Sequence, residues 1–242
     1  NILISTHPNT IVTVGYDHSI SESIQTVVSL LNKDVLGKIQ TIDVEFREHW
    51  DGIFKAHPWL KSPKDTYLGF WERGGGASGE HSHALHLWQY LARIVGWGSV
   101  RSVMSVMNME KTYDSLAAFL LQSMRGGVGR VVQDVVTSPT RKWARIQGEK
   151  GYIEWYCNGS LVGDIVRYQY RDGDLVERVF SKKRPDDFYR EMCHYDDILQ
   201  NRIFIPDSPL AFSWGIETMA VLVAAHKSRM QGTFLMPFLR NA

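Results

Sequence analysis

The sequence has 242 residues, enough to bury a sizeable core in one large domain or two modest ones. With 44% hydrophobic and 22% charged residues and a formal net charge of +1, it gives no electrostatic reason to expect nucleic acid or an acidic membrane surface as a partner. No apolar run approaches the roughly 18 residues that span a bilayer, and the N-terminus lacks the basic-then-apolar plan of a signal peptide. Two cysteines without C-x-x-C spacing, Cys157 and Cys193, fit a reducing cytoplasm better than a disulfide scaffold or a zinc knuckle.

Along the chain, "TIVTVGYDHS" (Thr10 to Ser19) alternates like a buried strand that ends in a glycine turn. The next segment has a Ser N-cap, Glu22 in the first turn, apolar residues at Ile24, Val27, Val28, Leu30 and Leu31, and Gly37 as a stop, which predicts a helix. "KIQTIDVEFREHW" then reads as a strand, so the three segments predict a β-α-β crossover. A loop rich in Pro and aromatics (His57 to Tyr67) leads to a glycine cluster and a helix predicted from about Glu80 to Val95, closed by Gly96. From Ser99 the pattern changes to successive strands, with "RGG", "EKG" and "RDGD" as short turns that favour antiparallel pairing. Helices are predicted at Asp186 to Leu199 and Ala211 to Gln231. The expected fold class is α+β: a mostly antiparallel open sheet flanked by helices on one face and preceded by a short β-α fragment.

The stretch "GGGASGEHSHALHLW" carries the chemistry. Gly74, Gly76 and Gly79 satisfy G-x-G-x-x-G, but a dinucleotide fingerprint needs a buried parallel strand before the glycines and an acidic residue about 20 positions on. "YLGFWERG" is too aromatic and too charged for that strand, and no acid lies between Gly96 and Ser102. The glycines are better explained by a close approach of the backbone to something else. Glu80, His83 and His86 stand at i, i+3 and i+6, within an arc of about 120° on a continuous helix. A carboxylate beside an imidazole orients the ring and raises its basicity, which suits a general acid/base. Glu and two His are also valid zinc ligands, but the spacing is not H-E-x-x-H and no metal site is expected.

Elsewhere, Trp50 or Trp59 could stack on a sugar face or pin the loop into the core. Arg141 and Lys142 read as an exposed basic turn, Asp186 and Asp187 as a helix start, and Gly126 to Gly129 as a hairpin turn.

These motifs, taken together with "VTVGYDHSISES", "LAAFLLQSMRGGVGRVVQDVV" and "ARIQGEKGYIEW", resemble the C-terminal part of the Gfo/Idh/MocA oxidoreductases over nearly the whole chain. In that family the glycine triplet opens the helix of the substrate domain, and its E-x-S-H branch matches Glu80, Ser82 and His83. The resemblance implies a remnant of a dinucleotide-binding Rossmann domain over residues 1–36 and a substrate and oligomerisation domain over 37–242. It implies NAD or NADP as cofactor and a sugar, nucleotide-sugar or cyclitol as substrate. His83 would be the catalytic acid/base and Glu80 its orienter. Tyr16, His18, His86 and Trp59 would bind substrate, and Gly75 and Gly76 would touch the cofactor. A homo-oligomer built through the open sheet is the implied assembly. The family's E-K-P motif is absent, Asp17 stands where relatives carry Asn, and His86 where this branch often carries Asp. The chain by itself is therefore not expected to catalyse hydride transfer, and a non-catalytic sugar-binding or oligomerisation module is the alternative.

Overall fold

A computed structural model describes residues 10–233 together with Leu235 and Pro237. The first nine residues of the expected remnant lie outside the described residues.

Helix α1 (Glu22–Asn32) starts where the sequence places it. The Ser21 hydroxyl accepts from the Ile24 amide at 3.3 Å, Glu22 faces the positive end of the helix dipole, and Gly37 takes φ +64° after the helix ends. Strand β1 (Ile39–Arg47) follows, then the short helices α2 (Asp51–Ala56) and α3 (Gly76–Glu80), the long helix α4 (Ser82–Ile94), and seven strands. These are β2 (Val100–Met109), β3 (Asp114–Ser123), β4 (Val128–Asp134), β5 (Arg141–Gly148), β6 (Gly151–Ser160), β7 (Gly163–Tyr170) and β8 (Val176–Ser181). Helices α5 (Arg184–Leu199) and α6 (Phe212–Gln231) complete the order.

The strands form one eight-stranded sheet in the order β2-β3-β4-β1-β5-β6-β7-β8. All neighbours are antiparallel except β1 and β4, which run parallel. The tight hairpins at "RGG", "EKG" and "RDGD" form as their turn residues dictate, and the α+β open sheet is the fold observed. One face carries Ile42, Val44, Phe119, Val131, Ile146 and Trp155 into a core shared with α1, α4 and α6. The opposite face leaves Val106, Leu120 and Val128 exposed beside a ladder of ion pairs that includes Arg130 with Asp43 at 3.2 Å and Arg145 with Glu154 at 2.9 Å.

Three sequence expectations differ from the observed fold. Thr10 to Ser19 is not a strand: Thr13 makes a single bridge to Ala211, and the Val14 amide donates to the Leu210 carbonyl at 2.9 Å. No β-α-β crossover with β1 forms, because the central strand takes β4 and β5 as its two neighbours and leaves no free edge for the N-terminal segment. The helix expected from Glu80 is interrupted at His81, whose ψ of 26° ends α3 before Ser82 opens α4.

Gly129, opposite Ile42 in the parallel pair, shows how closely α4 sits on the sheet. A Cβ there would be driven into the Ile42 carbonyl and the Trp88 indole nitrogen. Gly129→Ala should therefore cost about 2–3 kcal/mol through overpacking, read as a lower urea midpoint at unchanged m-value.

Candidate active site

Residues Asp17–Ile20 form one turn of 3₁₀ helix, held by the Ser19 hydroxyl donating to the Tyr16 carbonyl at 2.6 Å. This turn lies against the first turn of α4 and brings Tyr16, Asp17 and His18 to His83. Asp17 Oδ1 is 3.4 Å from His83 Nδ1 and 3.9 Å from His18 Nδ1. Burial pushes the Asp17 carboxyl up, but the contact with His83 and the charge of His18 outweigh it, so the group stays well below the usual carboxylate range. Burial dominates at His18 and holds it well below the ordinary imidazole range, against the pull of Asp17.

Tyr16 is buried and packs its ring parallel to His86 at 4.0 Å and edge-on to His83 at 5.3 Å. His83 is one-third exposed and opens onto a pocket of about 500 Å³ lined by Val14, Tyr16, Ser82, Phe212, Gly215 and Met219. A proton carrier with a carboxylate behind it and an apolar pocket in front can serve a hydroxyl or carbonyl oxygen brought into that pocket.

The other predicted site residues fall elsewhere. Glu80 does not orient His83. The break at His81 removes the shared helical arc, and the Glu80 carboxylate accepts from the Tyr67 hydroxyl at 3.0 Å, which lifts that phenol, already raised by burial, to about 12. The carboxylate that meets His83 is Asp17, which no helical spacing could pick out because it lies 66 residues earlier on a separate turn. His86 is 1% exposed; its Nε2 donates to the Pro209 carbonyl at 2.9 Å, and burial pushes it down to about 3, so the ring is neutral. Trp59 is exposed and packs edge-on to His57 at 5.1 Å, whereas Trp50 is buried against Tyr113 and Phe54.

The glycine triplet serves the chain's own packing. A Cβ on Gly75 would strike the Tyr67 and Leu68 carbonyls, and one on Gly76 would strike Asp114. Asp114 in turn accepts from the Ser78 amide at 2.7 Å and the Ser78 hydroxyl at 2.9 Å. The missing side chains permit this close packing, and Gly74, Gly75 and Gly79 also line a pocket of about 320 Å³ beside Trp71 and His226.

A second, polar cleft of about 610 Å³ is lined among others by Glu80, His81, Lys142 and Lys182. Lys142 is not an exposed turn residue: its ammonium meets Glu48 at 2.9 Å. Lys182 is 10% exposed and paired with Asp164 at 3.0 Å and Asp187 at 2.9 Å. Sequence reasoning missed Lys182 and Asp164, because only the β7–β8 register brings them together.

No protein-family model and no curated protein matches the sequence. Solved structures match its fold. The aldose-aldose oxidoreductase from Caulobacter crescentus complexed with glycerol aligns at a TM-score of 0.72 and 16% identity, over 97% of this chain and 66% of its own. Levoglucosan dehydrogenase in complex with NADH and levoglucosan gives 0.75 and 12%, over 98% and 70%. An inositol dehydrogenase homologue from Azotobacter vinelandii, complexed with NADH and myo-inositol, gives 0.69 and 14%, over 97% and 66%. The chain spans about two thirds of the length of these structures. The chain has the fold seen in the C-terminal domain of Gfo/Idh/MocA-type NAD-binding oxidoreductases. Among the described residues no helix is long and apolar enough to cross a membrane.

Proposed function

We propose that the chain is the substrate-binding and catalytic domain of an NAD(P)-dependent sugar or cyclitol oxidoreductase. The observation that carries this reading is the His83–Asp17 pair, set at the start of α4 and open to the pocket beside Tyr16. The fold shared with carbohydrate and cyclitol dehydrogenases supports it. Hydride exchange belongs to a nicotinamide held by a companion cofactor domain, with Gly75 and Gly76 as the residues of this chain that would touch it. The residues of this chain handle the proton. In oxidation, His83 takes the proton of the substrate hydroxyl, and Asp17 stabilises the imidazolium formed. In reduction, the same imidazolium returns the proton to the carbonyl oxygen. Tyr16 and Ser82 border the oxygen's path and fix the ring plane.

Exposed Val106, Leu120 and Val128 favour a homo-oligomer that covers the open face of the sheet, and assembly alone would be the role if no cofactor half exists. Titrating NADH and NADPH into this chain and into a form extended upstream in its natural reading frame separates the two readings. Binding by the extended form alone supports the dehydrogenase. In that form His83→Ala should lower kcat at least about 100-fold, Asp17→Asn should lower it about 10- to 100-fold, and Glu80→Gln less than tenfold. A loss below tenfold for His83→Ala would remove the proton-transfer role.

A further inference from the structure

The same seam presents a second kind of chemistry. The Nδ1 atoms of His18 and His83 are both buried and both face Asp17 Oδ1, at 3.9 Å and 3.4 Å, and neither makes a well-formed hydrogen bond. Two buried ring nitrogens converging loosely on one carboxylate oxygen call for an explanation. One ligand atom from each of Asp17, His18 and His83 lies within 4.8 Å of the others. In a tetrahedral zinc site, ligands about 2.0–2.1 Å from the ion sit roughly 3.4 Å apart, so the Asp17–His83 separation of 3.4 Å already matches and His18 needs only a small ring shift.

We infer that Asp17, His18 and His83 form a binding site for one zinc-class divalent cation, with two imidazoles and a carboxylate as ligands and the fourth position open. This goes beyond the proposed oxidoreductase role and does not depend on it. Two imidazole nitrogens select zinc, cobalt or nickel over magnesium or calcium, which prefer all-oxygen sites. The surroundings suit a metal. The His18 ring lies against Phe46 at 5.1 Å and Trp155 at 5.9 Å, an apolar wall that limits solvent. The His18 amide donates to Asp17 Oδ1 at 2.9 Å and fixes the carboxylate. Lys142 pairs with Glu48, and Lys182 with Asp164 and Asp187, which offsets part of the positive charge that these ammonium groups direct at His18. Zinc bound through Nδ1 of His83 would leave its Nε2 protonated and unable to accept a proton from substrate, making the site a point at which zinc blocks acid/base chemistry.

The test is a titration of Co²⁺ and Zn²⁺ into the chelator-treated full chain, followed by visible absorption and calorimetry. One equivalent should bind at micromolar Kd or tighter, with the intense visible bands of four-coordinate cobalt. His18→Asn, His83→Gln and Asp17→Asn should each weaken binding at least tenfold while circular dichroism shows a folded chain. X-ray absorption of the zinc-loaded wild-type protein, which needs no variant, should show only nitrogen and oxygen neighbours near about 2.0 Å. No saturable binding below about 100 µM, or a sulfur neighbour near about 2.3 Å that places the ion on Cys157 or Cys193, overturns the assignment.

Discussion

Trp88→Ala should destabilise the chain by about 4 kcal/mol, a large share of the 5–15 kcal/mol typical of a folded domain. The indole is completely buried between α4 and the sheet, and its Nε1 donates to the Ile42 carbonyl at 2.8 Å in the middle of β1. Alanine would leave a cavity that the flanking strands cannot close, because β1 is fixed on both sides by β4 and β5. Trp88→Phe keeps most of the volume and loses the hydrogen bond, so it should cost about 1–2 kcal/mol. Urea unfolding followed by circular dichroism measures both. A cost below about 1 kcal/mol for alanine would mean that α4 is not held to the sheet by this residue.

The second large effect comes from acid. Burial pushes His81 and His226 down to about 4 and His86 to about 3, with Lys142, Arg229 and His83 as respective secondary contributors. Above pH 6.5 these rings are neutral in both folded and unfolded chains and favour neither. Below 6.5 the unfolded chain takes up protons that the folded chain refuses until about pH 4, so stability falls across that window as pH is lowered. At about 1.4 kcal/mol per pH unit for each ring, the drop between pH 7 and pH 5 should reach on the order of 2 kcal/mol per histidine. His81→Leu removes an unpartnered buried ring nitrogen and should remove that ring's share of the slope, leaving the shares of His226, His86 and the likewise depressed His18. Equal urea midpoints at pH 7 and pH 5 would show that the three rings titrate freely.

The sheet was legible because its information is local. Alternation in "SLAAFLLQSM" and "ARIQ", closed by glycine-containing turns, dictates hairpins whatever the rest of the chain does. The first ten described residues were misread for the same reason in reverse: "TIVTVG" alternates like a strand, but β1, the neighbour expected of it, has both edges taken by β4 and β5. The placement of His83 in the first turn of a helix beside glycines was legible in the sequence. Its carboxylate was not. Helical spacing pointed to Glu80, and a single break at His81 sufficed to turn that group toward Tyr67 and leave Asp17 in its place. His86, on the apolar side of α4, was buried with Trp88 and Leu91 as the helical period would have it, and its polarity misled.

The parallel neighbour of β1 has a consequence for how the molecule is made. Thr41 meets Val128 and Ile42 meets Ile146, so the central strand of the sheet finds both partners only after roughly a hundred further residues have been synthesised. At translation rates of about 5–20 residues per second, Ile42, Val44 and Phe46 wait several seconds on the ribosome with neither edge paired. Long-range pairing of this kind is slow to nucleate, and the nascent segment is a target for chaperones during that interval. Codon choice across residues 48–128, which sets the length of the wait, should therefore influence the yield of folded protein more than codon choice in the hairpins that follow.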